Sequence, residues 1–384
     1  MMDVAIEKMI PRTQYKQLKE QILANKLLLV NGPRAVGKET IIQEVFQSSG
    51  LPFISFSANE KNVKKQFETV SESSLKELFG SNRFVVIKEA QYLEQLQNII
   101  EIVLSADFNL TLVLVCSYEP LIDDVLREVL QMQGLELTIL PPSFYELAQF
   151  NGLPVEEKLL DQRLIYGNYP KVVADLENAQ TTLKELVDEV IFTNLGVTDR
   201  INKGEKLYRM LQLLAFEVGN AISYNDIGER CGLDNETVER YIDLLEKSFV
   251  LIKLPSYFNN HRYELKKGHT IYFVDNGIRN VLINNFNPML LRNDWDAIWK
   301  NWLVAERVKW NKMNNKEVNY FFWKTHTKQI MDFIEVENGN VSAYKTSWEK
   351  RKKMKFPLSF TEAYPFAKTF TLNRSTYWGF LTKK

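Results

Sequence analysis

The chain has 384 residues, 45% of them hydrophobic and 25% charged, with 48 basic against 48 acidic side chains. That length exceeds one ordinary core and implies two or three domains at roughly 150 residues each. Zero formal net charge excludes a general polyanion binder, no apolar run approaches the roughly 18 residues that span a bilayer, and the two cysteines, Cys116 and Cys231, form neither a metal-binding spacing nor a disulfide framework. The opening stretch MMDVAIEKMIPRTQYK lacks a signal-peptide layout. With so few cysteines, we expect a cytoplasmic protein without membrane contact.

The first predicted strand is KLLLVN, Lys26 to Asn31, an apolar run ended by Asn-Gly-Pro. KETIIQEVFQ follows with helical spacing at Ile41, Ile42, Val45 and Phe46. Strand, glycine loop and helix in that order give G-x-x-x-x-G-K its meaning as a phosphate loop. Gly32 and Gly37 let several N–H groups converge on phosphate oxygens, the helix N-terminus adds partial positive charge, and Lys38 adds a full one. Arg34 lies within the loop. Where a Ser or Thr hydroxyl would meet magnesium the chain has Glu39, and Thr40 would serve only if the register shifted by one residue, about 100° round the helix. RFVVIKEAQYLE gives a second buried strand, from Phe84 to Ile87. An acid normally ends such a strand and holds magnesium; here Lys88 stands there, and Glu89 follows at the place of a water-activating base. NLTLVLVCSYEP is a third strand with Ser117 at its end, a candidate sensor of the terminal phosphate or simply a turn-former. Because the hydroxyl and the acid of a working site approach one magnesium ion, Glu39 and Lys88 are expected to be neighbours and to form an ion pair in its place.

Residues 156–205 read as helical, broken at YGNYP. From Leu207 to Leu254 a helix-turn-helix pattern follows: a helix to Phe216, a second capped by Ser223 and ended by Gly232, and a third capped by Asp234 or Asn235. The strand SFVLIKL completes a winged-helix pattern. Its third helix sets Asp234, Glu236, Glu239, Asp243 and Glu246 against only Arg240 and Lys247. That balance suits protein packing better than a phosphate backbone. Beyond it come TIYFVDNGIRN, the helix DAIWKNWLVAERVKWNK, and the strands YFFWK, IMDFIEVENG and VSAYKTSW. Helix, strand hairpin and strand resemble the PD-(D/E)xK nuclease core, which needs clustered acids and a lysine. Glu306 and Asp332 supply two acids. The E-x-K falls at Lys345 to Ser347, or at Ala343 and Lys345 if the frame slips, and lacks its acid either way. The expected site, Glu306, Asp332 and Lys345, is degenerate. WEKRKKMKF, Trp348 to Phe356, is the one basic cluster, a solvated loop or a nucleic-acid contact. His261, His269 and His326 are too scattered to form a site.

The stretches RTQYKQLKEQILANKLLLVNGPRAVGK, FVVIKEAQ, LTILPPSFYELAQF and LIYGNYPKVV resemble a bacterial and archaeal group of AAA+-type ATP-binding proteins. YIDLLEKSFVLIKLPSY and IYFVDNGIRN resemble that group's C-terminal domain of unknown function. The resemblance spans nearly the whole chain. It implies an α/β fold with an AAA+-like P-loop NTPase domain over residues 1–155 and a helical lid or linker over 156–205. A winged helix over 206–260 and an α/β nuclease-like domain over 261–384 complete the order. Against the group's pattern three positions depart: Glu39, Lys88, and Leu135 where an arginine would stand. We therefore expect a pseudo-ATPase with a scaffolding or regulatory role, no metal at the site, magnesium disfavoured, ATP binding open, and a protein partner. The alternatives are a weakly ATP-binding switch or ATPase, and a nucleic-acid binder using the winged helix or the basic cluster. Oligomeric state is not legible.

Overall fold

A computed structural model describes residues 10–189, 203–258 and 268–382. The chain divides into two compact units at the Leu140–Pro141 junction, ahead of the residue 155 read from the sequence. His261 lies outside the described residues.

The first unit is a parallel sheet wrapped by helices. In chain order it runs α1 (Tyr15–Ala24), β1 (Leu27–Asn31), α2 (Lys38–Ser49), β2 (Ile54–Ser57), α3 (Lys61–Gln66), α4 (Glu72–Phe79), β3 (Phe84–Lys88), α5 (Leu96–Ser105), β4 (Thr111–Cys116), α6 (Asp124–Met132) and β5 (Glu136–Thr138). The strands lie in the order β2-β3-β4-β1-β5, every pair parallel. β1 and β4 are buried at every position, which is why the sequence shows apolar runs rather than alternation. Leu27 and Leu29 with Val85, Ile87, Leu112 and Leu114 pack one face onto Ile99, Ile100 and Leu130 of α5 and α6. The alternate residues point to the other face, where Phe46 of α2 meets Phe84 edge-on at 5.5 Å. Register sets Asn31 beside Cys116 and beside Thr138, and Lys88 beside Val115 and beside Ser57. The carboxyl ends of the strands thus share one edge, the edge at which such sheets bind ligands.

The second unit begins with α7 (Phe144–Asn151), α8 (Leu153–Tyr166), α9 (Pro170–Ala174), α10 (Ala179–Glu189) and α11 (Lys203–Phe216). Next come β6 (Ala221–Ile222), α12 (Tyr224–Cys231), α13 (Asn235–Lys247), β7 (Leu251–Pro255) and β8 (His269–Phe273), the strands forming a sheet in the order β6-β8-β7. The local punctuation read from the sequence is present. Ser223 and Asp234 accept backbone N–H bonds at the starts of α12 and α13, and Gly232 ends α12 in the left-handed region at φ 67°. α14 (Asn276–Leu282) and the long α15 (Trp295–Met313) follow. A four-stranded sheet in the order β12-β11-β10-β9 closes the unit: β9 (Asn319–Lys324), β10 (Ile330–Glu337), β11 (Asn340–Thr346) and, after α16 (Leu358–Ala363), β12 (Lys368–Leu372). α17 (Tyr377–Leu381) ends the described chain. β9, β10 and β11 are antiparallel neighbours, and β12 joins β11 in parallel. No helix among the described residues is long and apolar enough to cross a membrane.

Candidate nucleotide site and the buried acids

The loop between β1 and α2 is built for close backbone approach. Gly32 has φ 144°, and a Cβ there would lie 1.9 Å from the Ile139 carbonyl oxygen. Gly37 has φ 93° and open space around it. Ala35 is also left-handed at φ 58°, so the loop turns its backbone repeatedly, the geometry that gathers N–H groups into an anion-binding concavity. Arg12 ties the loop down by donating to the carbonyls of Val36 (2.9 Å) and Leu140 (2.5 Å). Lys38 opens α2, is buried, and donates to the carbonyls of Gly32 and Pro33, both at 2.7 Å. Burial pulls its ammonium down to about 8, against the opposing pull of Glu89.

Two short steps away the expected substitutions meet. Lys88 Nζ lies 2.8 Å from Glu39 Oε2, with the lysine side chain 24% and the glutamate 47% exposed. Lys88 ends β3, and Glu39 sits on the first turn of α2; the common edge of the sheet brings them together. Thr40 is exposed on α2.

Glu89 follows in the left-handed region at φ 52°, which is costly for a side-chain-bearing residue and turns its carboxylate into the site. That carboxylate is fully engaged. Oε1 accepts from Ser117 Oγ at 2.7 Å, and Oε2 accepts from Gln91 Nε2 at 2.6 Å and from Arg34 Nη2 at 3.1 Å. Gln91 also accepts the Ser117 N–H at 3.2 Å, and Arg34 donates to the Tyr92 hydroxyl at 3.0 Å. Arg34, Glu89 and Ser117 are therefore one hydrogen-bonded group at the mouth of the loop. Gln91 and Tyr92 were not singled out from the sequence, although both stand within three residues of Glu89 in FVVIKEAQY. Beside this group Cys116 is a free, buried thiol raised by burial. Leu135 stands where the resemblance would place an arginine. Its side chain belongs to the apolar core and its carbonyl accepts the Leu29 N–H at 2.8 Å, so that position faces the core rather than the phosphate loop.

In the second unit the residues of the expected degenerate site have separate partners. Glu306 is buried and raised by burial; it accepts the Phe144 N–H at 2.6 Å, Asn168 Nδ2 at 3.1 Å and Lys309 Nζ at 2.8 Å. Asp332 instead accepts the Thr346 N–H at 2.9 Å and pairs with Lys300 Nζ at 2.7 Å. Lys345 lies on β11 in register with Thr371 of β12, and among the described residues no hydrogen bond joins it to either acid. Each acid has its own lysine, and among the described residues the two share no hydrogen-bond or ion-pair partner. A further carboxylate, Glu335, is buried on β10 and held by Arg307 (2.7 Å), Asn311 (3.0 Å) and Tyr344 (2.9 Å). Among the described residues no group of three or more His, Cys, Asp or Glu is placed to hold a metal ion.

The two motifs YGNYP and VDNGIRN converge on this acid region. Asp275 accepts the N–H groups of Asn168 and Gly277, both at 2.8 Å. Asn276 and Asn280 donate to the end of α8 through the carbonyls of Leu164 and Ile165. Arg279 donates to the Ala215 carbonyl at 2.9 Å and pairs with Asp294. These residues tie helices together. His269 stacks on Tyr224 and shares a 2.9 Å hydrogen bond with its hydroxyl, while His326 lies in the turn after β9.

A five-stranded parallel sheet whose first strand feeds a lysine-bearing glycine loop is a P-loop domain of the AAA+ type. Residues 24–148 match a family model described as an AAA domain, and residues 157–289 match one described as a domain of unknown function (DUF8612). The chain thus carries an N-terminal AAA+-type P-loop domain followed by a domain of unknown function. A protein of Haemophilus influenzae described as uncharacterized is 25% identical over 292 residues, covering 71% of this chain and 73% of that one. Among solved structures, a Walker-type ATPase of Pyrococcus abyssi is similar over 72% of this chain and 97% of its own, at 14% identity and a TM-score of 0.45. The Thermotoga maritima RuvB Holliday junction branch migration motor is similar over 64% of this chain and 90% of its own, at 14% identity and a TM-score of 0.33.

Proposed function

We propose that this chain is an AAA+-type protein whose phosphate loop persists while its magnesium-holding positions have been replaced, so that it acts by binding and regulation rather than by turnover. The observation that carries this reading is the 2.8 Å contact between Lys88 and Glu39. Magnesium needs about six oxygen ligands near 2.1 Å in octahedral order, and an ammonium cannot be one of them. A divalent ion held about 4 Å from the Lys88 ammonium would be opposed by roughly 8 kcal/mol at an effective dielectric near 20. Glu39 brings a carboxylate, but one of its oxygens is held by Lys88, whose positive charge opposes a divalent ion. The residues present do not fit the metal. Glu89, the candidate base, is likewise engaged by three donors, and Ser117, the candidate sensor, is one of them. Lys38 and the turned backbone from Gly32 to Gly37 still fit a phosphate group.

The same pattern supports a regulatory reading of the second unit. Helix α15 followed by three antiparallel strands and a parallel fourth is the order of a nuclease-like core, yet Glu306, Asp332 and Glu335 are each neutralised by a lysine or an arginine. α13 favours a protein partner over a duplex, since Glu236 and Glu239 are exposed and Asp243 and Glu246 share Lys253. The test of the central reading is phosphate release from ATP by the purified chain with excess magnesium. Release indistinguishable from buffer is expected. Release that scales with protein concentration and is lost in Lys38→Met would show a working ATPase, the principal alternative.

A further inference from the structure

The ion pair that stands at the cation's place also changes what the loop can hold. Lys38, Lys88 and Arg34 bring three positive charges to the mouth of the loop, against the carboxylates of Glu39 and Glu89. One positive charge is left over without any metal. Nor are the two ammonium groups used up. Lys38 spends two N–H donors on loop carbonyls, Lys88 spends one on Glu39, and each ammonium has three. Both therefore keep a donor for a phosphate oxygen while holding their present partners.

We propose that the loop binds a nucleoside diphosphate as the metal-free anion, with Lys88 in the role of the resident cation, and that magnesium opposes this binding. The proposal rests on the phosphate-loop reading above and adds ligand class and metal dependence to it. Backbone N–H groups from Gly32 to Gly37 and the start of α2 receive the β-phosphate, Lys38 donates to it, and Lys88 approaches from the β3 side with Glu39 holding its position. A terminal third phosphate would extend toward the carboxylates of Glu39 and Glu89, with no divalent ion between to offset the repulsion. The diphosphate avoids that approach. A magnesium-chelated nucleotide carries its own divalent ion toward Lys88 and meets like charge, so chelation removes ligand from the binding-competent pool.

The experiment is calorimetric titration of the full chain with ADP and with ATP, in EDTA and in excess magnesium. The expected result is ADP binding in EDTA, tighter than ATP, weakening as magnesium chelates the nucleotide. Lys88→Met should weaken metal-free ADP binding by about tenfold to a hundredfold, the worth of one charge-assisted hydrogen bond, while Lys88→Arg keeps most of it. A melting curve for each variant separates lost binding from lost fold. No binding of either nucleotide in any condition would overturn this inference and leave the hydrolysis-incompetent reading in place. ATP binding tighter than ADP in EDTA would overturn the diphosphate assignment. Binding tightened tenfold or more by magnesium would overturn both.

Discussion

At the scale of single residues, Lys38 illustrates how a binding group is kept against its own stability. Its ammonium is held at about 8 by burial, below its ordinary value of 10.5. Between those two values the unfolded chain binds more protons than the native one, so stability rises with pH across that window. Below it the buried charge costs the fold on the order of 3 kcal/mol. Lys38→Met should therefore be more stable than the parent at pH 7 and lose the rise between pH 8 and 10, as read from urea midpoints at each pH. Anion binding has the opposite sign: it needs the ammonium, so affinity for a phosphate ligand should fall as pH climbs past about 8. The Glu39–Lys88 pair behaves differently. Both side chains are partly exposed, and such pairs contribute about 1 kcal/mol or less. Glu39→Thr alone should shift the melting temperature by no more than a few degrees. A large loss would mean the pair is structural rather than a substitute for a cation.

At the scale of elements, what was legible followed from short range or from a fixed motif. The helix caps at Ser223, Gly232 and Asp234 were readable because a cap is a property of neighbouring residues. The Glu39–Lys88 pair was readable because the motif fixes where both positions meet. For Glu306 the sequence showed a degenerate acid site but not its partners, for the opposite reason. Residue type says that a buried acid needs a partner, and sequence does not say that the partners are Phe144 and Asn168, 162 and 138 positions away. That Leu135 faces the core was not legible, because the count to the next motif does not reveal which face of the approach to β5 it takes. The acid knot yields its own predictions. Glu306→Ala leaves Lys309 and the Phe144 N–H buried without that partner and should cost about 3–5 kcal/mol in denaturant unfolding. Gly167 has φ 72° and a Cβ there would lie 1.8 Å from Asp275 Oδ1, so Gly167→Ala should fail to fold or melt far lower. A Gly167→Ala protein of parental stability would refute the account of YGNYP as a packing motif.

At the scale of the whole molecule, both units pair acidic side chains with basic ones. Lysines stand beside Glu39, Glu306 and Asp332, and an arginine beside Glu335. The basic stretch is exposed: Lys350, Arg351, Lys352 and Lys353 lie at the surface, and Lys352 pairs with Glu349 at 2.7 Å. Filter binding of a DNA duplex at low salt should show no retention that depends on Arg240; salt-sensitive binding abolished by Arg240→Glu would make α13 a recognition helix after all. The central claim, that a lysine–glutamate pair occupies the place of the catalytic cation, is tested most directly with manganese as a paramagnetic substitute for magnesium. Electron paramagnetic resonance of manganese with ATP should show no protein-bound ion for the parent chain, and a bound ion for the double variant Glu39→Thr, Lys88→Asp. Manganese bound by the parent and lost in Lys38→Met would contradict it.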